Sequence, residues 1–316
     1  MKITVLMTRD NFTKSQLDSL AQLGTIVFTT SKKEMTVQEI ISLTKDSDIL
    51  VADPDNFGGF EKAKERLTAV METLPHLKGI ALSTTSFGWI DLDYCKKRSI
   101  LVNNIPGYSR ESVAEHTLAL LLCTAKKILV TDRKTQKDAY ELQMGFELKG
   151  KILGIIGVGN IGSRTAELGK AIGMNVVGFN RTAKTVPGVE MISLEELLKK
   201  SDAIAIHTTH EPANENLIGE KELRSVKNGV IFVNTADRTV INEEAMAKAL
   251  ISKQVAGYAF EAEDLKTGPL ATLENAVALK GFGWYTKEAI ERLIQILVDS
   301  VVAHAAGKPI NLVVVK

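Results

Sequence analysis

The chain has 316 residues, a formal net charge of +1, and 45% hydrophobic against 24% charged residues. That is the balance of an ordinary globular protein with too much chain for one core, so it points to two domains of roughly 100–200 residues each. The near-neutral charge argues against nucleic-acid or acidic-membrane partners, and no stretch approaches the roughly 18 apolar residues that a membrane span needs.

The opening MKITVLMTRD has one short apolar run and then charge, which reads as a first strand rather than a signal peptide. ITVLM (3–7) is that strand, and SQLDSLAQLG (15–24) a helix closed by glycine. TIVFT (25–29), DILVA (48–52) and GIALST (79–84) read as further strands. Strand-helix alternation of this kind predicts a parallel sheet covered on both faces. Cys95 and Cys123 lack metal-ligand spacing and read as reduced thiols of a cytoplasmic protein, with no metal site expected.

A loop, NNIPGYS (103–109), leads into RESVAEHTLALLLCTAKKIL (110–129), whose three- and four-residue apolar spacing predicts one long buried helix. His116 sits among its apolar residues and reads as a hydrogen-bonded packing histidine, with a catalytic role as the alternative. The polar, irregular stretch 131–150 is a candidate arm packing on a partner subunit. A second strand-helix series follows: KILGIIG, NVVGF, AIAIHT, GVIFVN and QVAGYAF. The chain closes with an amphipathic helix, KEAIERLIQILVDSVVAHAAG (287–307), and the apolar run INLVVV (310–315).

The most informative segment is GKILGIIGVGNIGSRTAELGKAIGMNVVGFNRT (150–182), where Gly157, Gly159 and Gly162 make G-x-G-x-x-G between a strand and a helix. In that context the first glycine permits a tight turn, the second lets the backbone approach a pyrophosphate, and the third lets helix pack on strand. The amides of the helix start then favour an anion. The next strand usually ends on a carboxylate that holds the ribose 2′-hydroxyl of NAD. Here it ends on Asn180, Arg181 and Thr182, with Lys184 close behind. A guanidinium bonds a 2′-phosphate in a charge-assisted pair of about 1.5–3 kcal/mol. NADP(H) is therefore favoured, with NAD(H) possible if Arg181 is only a solvated side chain.

Read together, VNNIPGYSRESVAEHTLALLL, the glycine segment, SLEELLKKSDAIAIHTTHEPANENLIGEKELRSVKNGVIFVNTA, INEEAMAKAL and VAGYAF resemble the D-isomer-specific 2-hydroxyacid dehydrogenases. The resemblance covers nearly the whole chain. It implies an α/β fold of two Rossmann/flavodoxin-like, doubly wound parallel-sheet domains with a cleft between them. Residues 1–98 with 287–316 would form the substrate domain and 99–286 the dinucleotide domain. It also implies a small-molecule substrate in the cleft and, commonly, a homodimer. For the cofactor it implies contacts from Gly159, Asn160 and Ile161 at the diphosphate. His207, Thr208 and Thr209 would lie on the ribose side, Thr235 and Ala236 by the nicotinamide ribose, and Glu261 at the carboxamide.

The family's catalytic residues do not carry over. The arginine that would follow N-T-A is Asp237, with Arg238 one place later. The glutamate five residues beyond Glu261 is Lys266, and the histidine of a T-P-H triplet is Gly281 in Leu279-Lys280-Gly281. Arg238 as an anion binder, and Lys280, Lys266 or Tyr285 as proton donors, are the nominated replacements. The alternatives are an Arg238–Asp237 surface pair and solvated or packed side chains. In STTSFGWIDLD (83–93), Thr84, Thr85 and Ser86 stand where the family usually has glycines and Phe87 and Trp89 add aromatic bulk, as a reshaped substrate pocket or a structural turn. His210 is a candidate contact for the adenine end. Two readings survive: an NADP(H)-preferring oxidoreductase with changed substrate and catalytic residues, or a dinucleotide-binding protein without 2-hydroxyacid turnover.

Overall fold

The computed structural model describes residues 1–139, 141–209, 212–262 and 267–313. The chain divides into two compact units, 1–108 with 287–316 and 109–286.

The first unit alternates β1 (Lys2–Thr8), α1 (Lys14–Ala21), β2 (Thr25–Thr29), α2 (Val37–Thr44), β3 (Ile49–Ala52), α3 (Phe60–Glu72), β4 (Gly79–Leu82), α4 (Leu92–Lys97) and β5 (Leu101–Asn103). Capping boxes start α1 at Thr13 and Gln16 and α2 at Thr36 and Glu39, each satisfying amides that a helix start leaves open. The strands form one parallel sheet in the order β2-β1-β3-β4-β5. Residues of β3 alternate between two cores: Leu50 and Ala52 pack with Leu67 and Met71 of α3, whereas Ile49 and Val51 join the opposite face. Burial on both sides explains why ILVA and GIAL are unbroken apolar runs. The sequence places the first boundary at residue 98, but β5 pairs with β4 and belongs to this sheet. The boundary therefore falls after Tyr108.

The second unit begins with α5 (Arg110–Ala125) and α6 (Ile128–Thr135) in place of the single helix predicted over 110–129. Lys127 breaks it in a left-handed conformation (φ 56°), with its ammonium donating to the Ala256 carbonyl at 2.7 Å. Residues 141–148 have no regular secondary structure. The series continues with β6 (Ile152–Ile156), α7 (Asn160–Ala171), β7 (Asn175–Phe179), β8 (Glu190–Met191), α8 (Leu194–Lys200), β9 (Ala203–Ile206), α9 (Glu220–Ser225), β10 (Val230–Asn234), α10 (Glu243–Ile251), β11 (Val255–Glu261) and β12 (Ala276–Leu279). All seven strands run parallel, in the order β12-β11-β10-β9-β6-β7-β8. On β10, Phe232 packs with Met246 and Leu250 of α10, while Ile231 and Val233 pack with Leu120 and Leu121 of α5. The strand order reverses between β9 and β6, which is where such sheets open a crevice at their carboxyl ends.

Helix α11 (Lys287–Ala305) returns to the first unit, burying Leu293, Leu297 and Val301 with Ile3, Val5 and Ile49. Beyond it, the run predicted from INLVVV contributes one antiparallel bridge, Leu312 to Asn103, and residues 314–316 lie outside the described residues.

Candidate functional site

The carboxyl ends of β6, β7 and β9 meet at the crevice. Gly157, after β6, has φ +95°, and a Cβ there would lie 2.6 Å from the His207 carbonyl oxygen. At Gly162 a Cβ would stand 2.2 Å from the Gly157 carbonyl oxygen, so only a hydrogen lets α7 sit on the turn. Gly159 is different: nothing lies within 4 Å of where its Cβ would point, so the turn is open on that side. Gly159 also caps α7 without a side-chain hydrogen bond, so the first-turn amides, including those of Asn160 and Ile161, are not taken by a capping side chain.

A groove of about 460 Å³ opens on this turn. It is lined by Gly157 and Gly159, by Asn180, Arg181, Thr182 and Lys184, and by His207, Thr208 and Thr209. Asn180 Oδ1 accepts from the Val158 amide at 2.6 Å, which ties the end of β7 to the glycine turn. Arg181, Thr182 and Lys184 are exposed around the rim. Thr208 Oγ1 is buried in this lining with no hydrogen-bond partner, an unusual cost unless a bound group supplies one.

His207 is held between two hydroxyls, with Nε2 3.0 Å from Thr165 Oγ1 and Nδ1 3.2 Å from Thr235 Oγ1. Thr235 in turn lies 3.3 Å from Thr117 Oγ1 of α5. Burial pushes the imidazole down to about 4, so it is neutral at pH 7 and ties α7, β9, β10 and α5 together.

Beyond β10, Asn234 braces the NTADRT turn: its Oδ1 accepts from the Ala236 amide at 3.0 Å and its Nδ2 donates to the Asp237 carbonyl at 3.1 Å. The Asp237 carboxylate accepts from the Thr239 amide and hydroxyl at 2.9 and 2.6 Å. Arg238 forms an ion pair with Glu243 at 2.6 Å and lies over the Phe260 ring at 5.7 Å, so the pairing is with α10 and not the Arg238–Asp237 pair considered from sequence.

The glycine loop after β12 is closed on itself. Trp284 Nε1 donates to the Gly281 carbonyl at 3.0 Å and packs edge-on against Tyr285. Lys280 and Tyr285 are both exposed. Lys266 and His210 lie outside the described residues.

Beneath this loop His116, read from sequence as a packing histidine with a catalytic role as the alternative, meets a partner that the sequence did not indicate. His116 Nε2 stands 3.5 Å from Glu261 Oε1 at the end of β11. The same Glu261 oxygen accepts from the Gly283 amide at 2.7 Å. Ser112, one turn before His116 on α5, donates its hydroxyl to the Gly283 carbonyl, and Phe282 packs edge-on against the imidazole at 5.0 Å. The sequence signal was a histidine one turn after a serine on a long helix.

In the first unit, the hydroxyls nominated for substrate bind their own loop. Thr84 Oγ1 donates to the Ser86 carbonyl at 2.7 Å and accepts from Trp89 Nε1 at 2.9 Å. Thr85 Oγ1 donates to the Ile105 carbonyl at 2.9 Å. Ser86 and Phe87 remain exposed, and Trp89 is buried as the staple of the turn.

Residues 118–279 match the D-isomer specific 2-hydroxyacid dehydrogenase, NAD binding domain. Glyoxylate reductases of Aeropyrum pernix and Thermococcus litoralis are 35% and 34% identical over 262 and 261 residues, covering 77% of this chain and 78% and 79% of theirs. A solved acyclic imino acid reductase, Bsp5, in complex with NADPH and D-Arg, aligns over 99% of this chain and 100% of its own. Its identity is 28% and the TM-score 0.85. D-lactate dehydrogenase from Aquifex aeolicus, complexed with NAD and lactic acid, aligns over 98% and 96% at 28% identity and a TM-score of 0.77. No described helix is long and apolar enough to cross a membrane. The glycine turn, the groove at the strand switch and these relatives agree: the chain belongs to the D-isomer-specific 2-hydroxyacid dehydrogenase family of nicotinamide-dinucleotide oxidoreductases acting on hydroxyl or carbonyl groups.

Proposed function

We propose that the protein is an NADP(H)-preferring oxidoreductase whose substrate and proton-transfer residues differ from those usual in its family. The observation that carries the cofactor preference is the groove rim at the end of β7, where Asn180 and Arg181 replace a carboxylate. The α7 amides and Thr208 Oγ1 would hold the diphosphate and ribose, Arg181 with Thr182 and Lys184 the 2′-phosphate, and Thr235 and Ala236 the nicotinamide ribose. A bound nicotinamide supplies hydride chemistry at the carboxyl ends of β9 to β11.

An altered substrate is supported by Asp237 and Gly281 at the positions of the usual arginine and histidine, and by Arg238 being paired with Glu243. Relatives named glyoxylate reductase, and one solved with NADPH and D-Arg as an acyclic imino acid reductase, point to small substrates with a C=O or C=N group. Thr84, Thr85, Ser86 and Phe87 would shape that substrate's pocket through the fixed backbone of their turn. Lys280, Lys266 and Tyr285 stay as alternative proton donors. The same reading makes the protein a cytoplasmic homodimer, joined through the arm on which Leu142 and Met144 are 84% and 92% exposed.

The test mixes the pure chain with NADPH and a panel of 2-oxoacids, aldehydes and 2-oxoacids with excess ammonia, following nicotinamide absorbance. Oxidation with at least one substrate is expected. Tight NADPH binding with no oxidation across the panel contradicts the reading and favours the second one, a dinucleotide-binding protein without turnover. The missing family residues are what favours that second reading.

A further inference from the structure

The pair formed by His116 and Glu261 has the parts of a proton-transfer site. A carboxylate fixed by a backbone amide faces one nitrogen of a partly buried imidazole, the arrangement that orients a general acid or base. Glu261 Oε1 is anchored by the Gly283 amide at 2.7 Å and faces His116 Nε2 at 3.5 Å. Nε2 is buried without a hydrogen bond, so the ring is not serving as an ordinary packing histidine with its polar atoms satisfied.

The loop above is shaped around the pair. A Cβ on Gly283 would come within 2.8 Å of His116 Cδ2 and 3.0 Å of Glu261 Oε1, so a side chain there would push against the pair. Ser112 clamps the Gly283 carbonyl and Phe282 fixes the ring's tilt. The location also fits. In a doubly wound sheet the two nucleotide halves lie on either side of the switch point. A dinucleotide whose adenosine half sat over β6 and β7 would bring its nicotinamide half toward the ends of β9, β10 and β11, and Glu261 ends β11.

We propose that His116, oriented by Glu261, is the catalytic proton donor and acceptor of this enzyme, its imidazole entering from α5 where the glycine loop has none to offer. The proposal rests on the oxidoreductase reading above. In reduction, the carbonyl carbon accepts a hydride and its former π pair stays on oxygen. That oxygen takes a proton from the imidazolium nitrogen turned away from Glu261. The ring is left neutral and is recharged from water; oxidation of the alcohol runs the same steps backward, with neutral His116 as base.

Among the titratable groups on the surrounding elements, Glu261 of β11 faces the ring. Glu115 on α5 and Lys280 and Tyr285 at the loop ends are exposed, and Asp237 after β10 is turned to Thr239. Burial holds the imidazole below its ordinary range.

The experiment uses the full chain with His116→Gln, His116→Asn and Glu261→Gln. Imidazole NMR titration of the nucleotide-free protein is expected to show His116 losing about tenfold in proton affinity when Glu261 becomes glutamine. With a substrate that wild type turns over, both His116 variants should lose about 10²–10⁴ in kcat. Their NADPH Kd should stay within about threefold, well short of one decade of affinity. The Glu261 variant should move the pH limb of kcat to lower pH. Either His116 variant retaining wild-type kcat and pH profile, or a His116 titration indifferent to Glu261, overturns the proposal and leaves the NADP(H) reading intact. Bound NADPH with no turnover by wild type overturns both.

Discussion

Asn180 Oδ1 accepts from the Val158 amide at 2.6 Å, so the residue that ends β7 also holds the glycine turn after β6. A carboxylate would accept the same bond but place a charge beside any 2′-phosphate. Asn180→Asp should therefore keep the fold and NADH binding while weakening NADPH at least about tenfold, as expected for loss of roughly 1.4 kcal/mol. Isothermal titration with both nucleotides checks this.

The glycines of the turn separate by what surrounds them. Gly162→Ala would drive a methyl into the Gly157 carbonyl and should lower stability by about 1–3 kcal/mol, the usual cost of overpacking. Gly159→Ala meets nothing in the protein and should leave the melting temperature nearly unchanged while weakening nucleotide binding. Thermal unfolding with and without NADPH distinguishes the two effects.

His207 carries a signed pH dependence. Burial holds its folded pKa at about 4, below the ordinary value of 6.5. The unfolded chain therefore binds the proton first, and the stabilisation by neutral His207 is complete above pH 6.5 and lost as pH falls toward 4. His116 and His304 are also held down by burial, so only part of the wild-type acid slope belongs to His207. Urea unfolding of wild type and His207→Gln at pH 7 and 4.5 should show a smaller acid loss in the variant.

Arg238 is paired with Glu243 and stacked over Phe260, both partly buried contacts. Arg238→Ala should cost about 1 kcal/mol in stability, as partly exposed ion pairs do. Its effect on KM tells the two roles apart. A rise of more than about tenfold for an anionic substrate would mean that Arg238 leaves Glu243 to bind it.

The strands were legible because each buried parallel strand is an unbroken apolar run, as in ILGII of β6 and AIAI of β9. The nucleotide turn was legible because its glycines answer local steric demands. The break at Lys127 was not, since a lysine at φ 56° has no local signature and is held by a distant carbonyl, that of Ala256. The first boundary moved because β5 is only three residues long and owes its place to pairing with β4. The pairing of His116 was hidden for a related reason: its partner Glu261 is remote in sequence, and only the packing of α5 beneath the Gly283 loop brings them together.

A cofactor preference set at the end of β7 would show in paired equilibrium titrations of NADPH and NADH against wild type and Arg181→Ala. Wild type should bind NADPH about ten- to a hundredfold tighter than NADH, with that ratio falling toward one in the variant. Equal affinities in wild type, or a ratio untouched by removing Arg181, would contradict it.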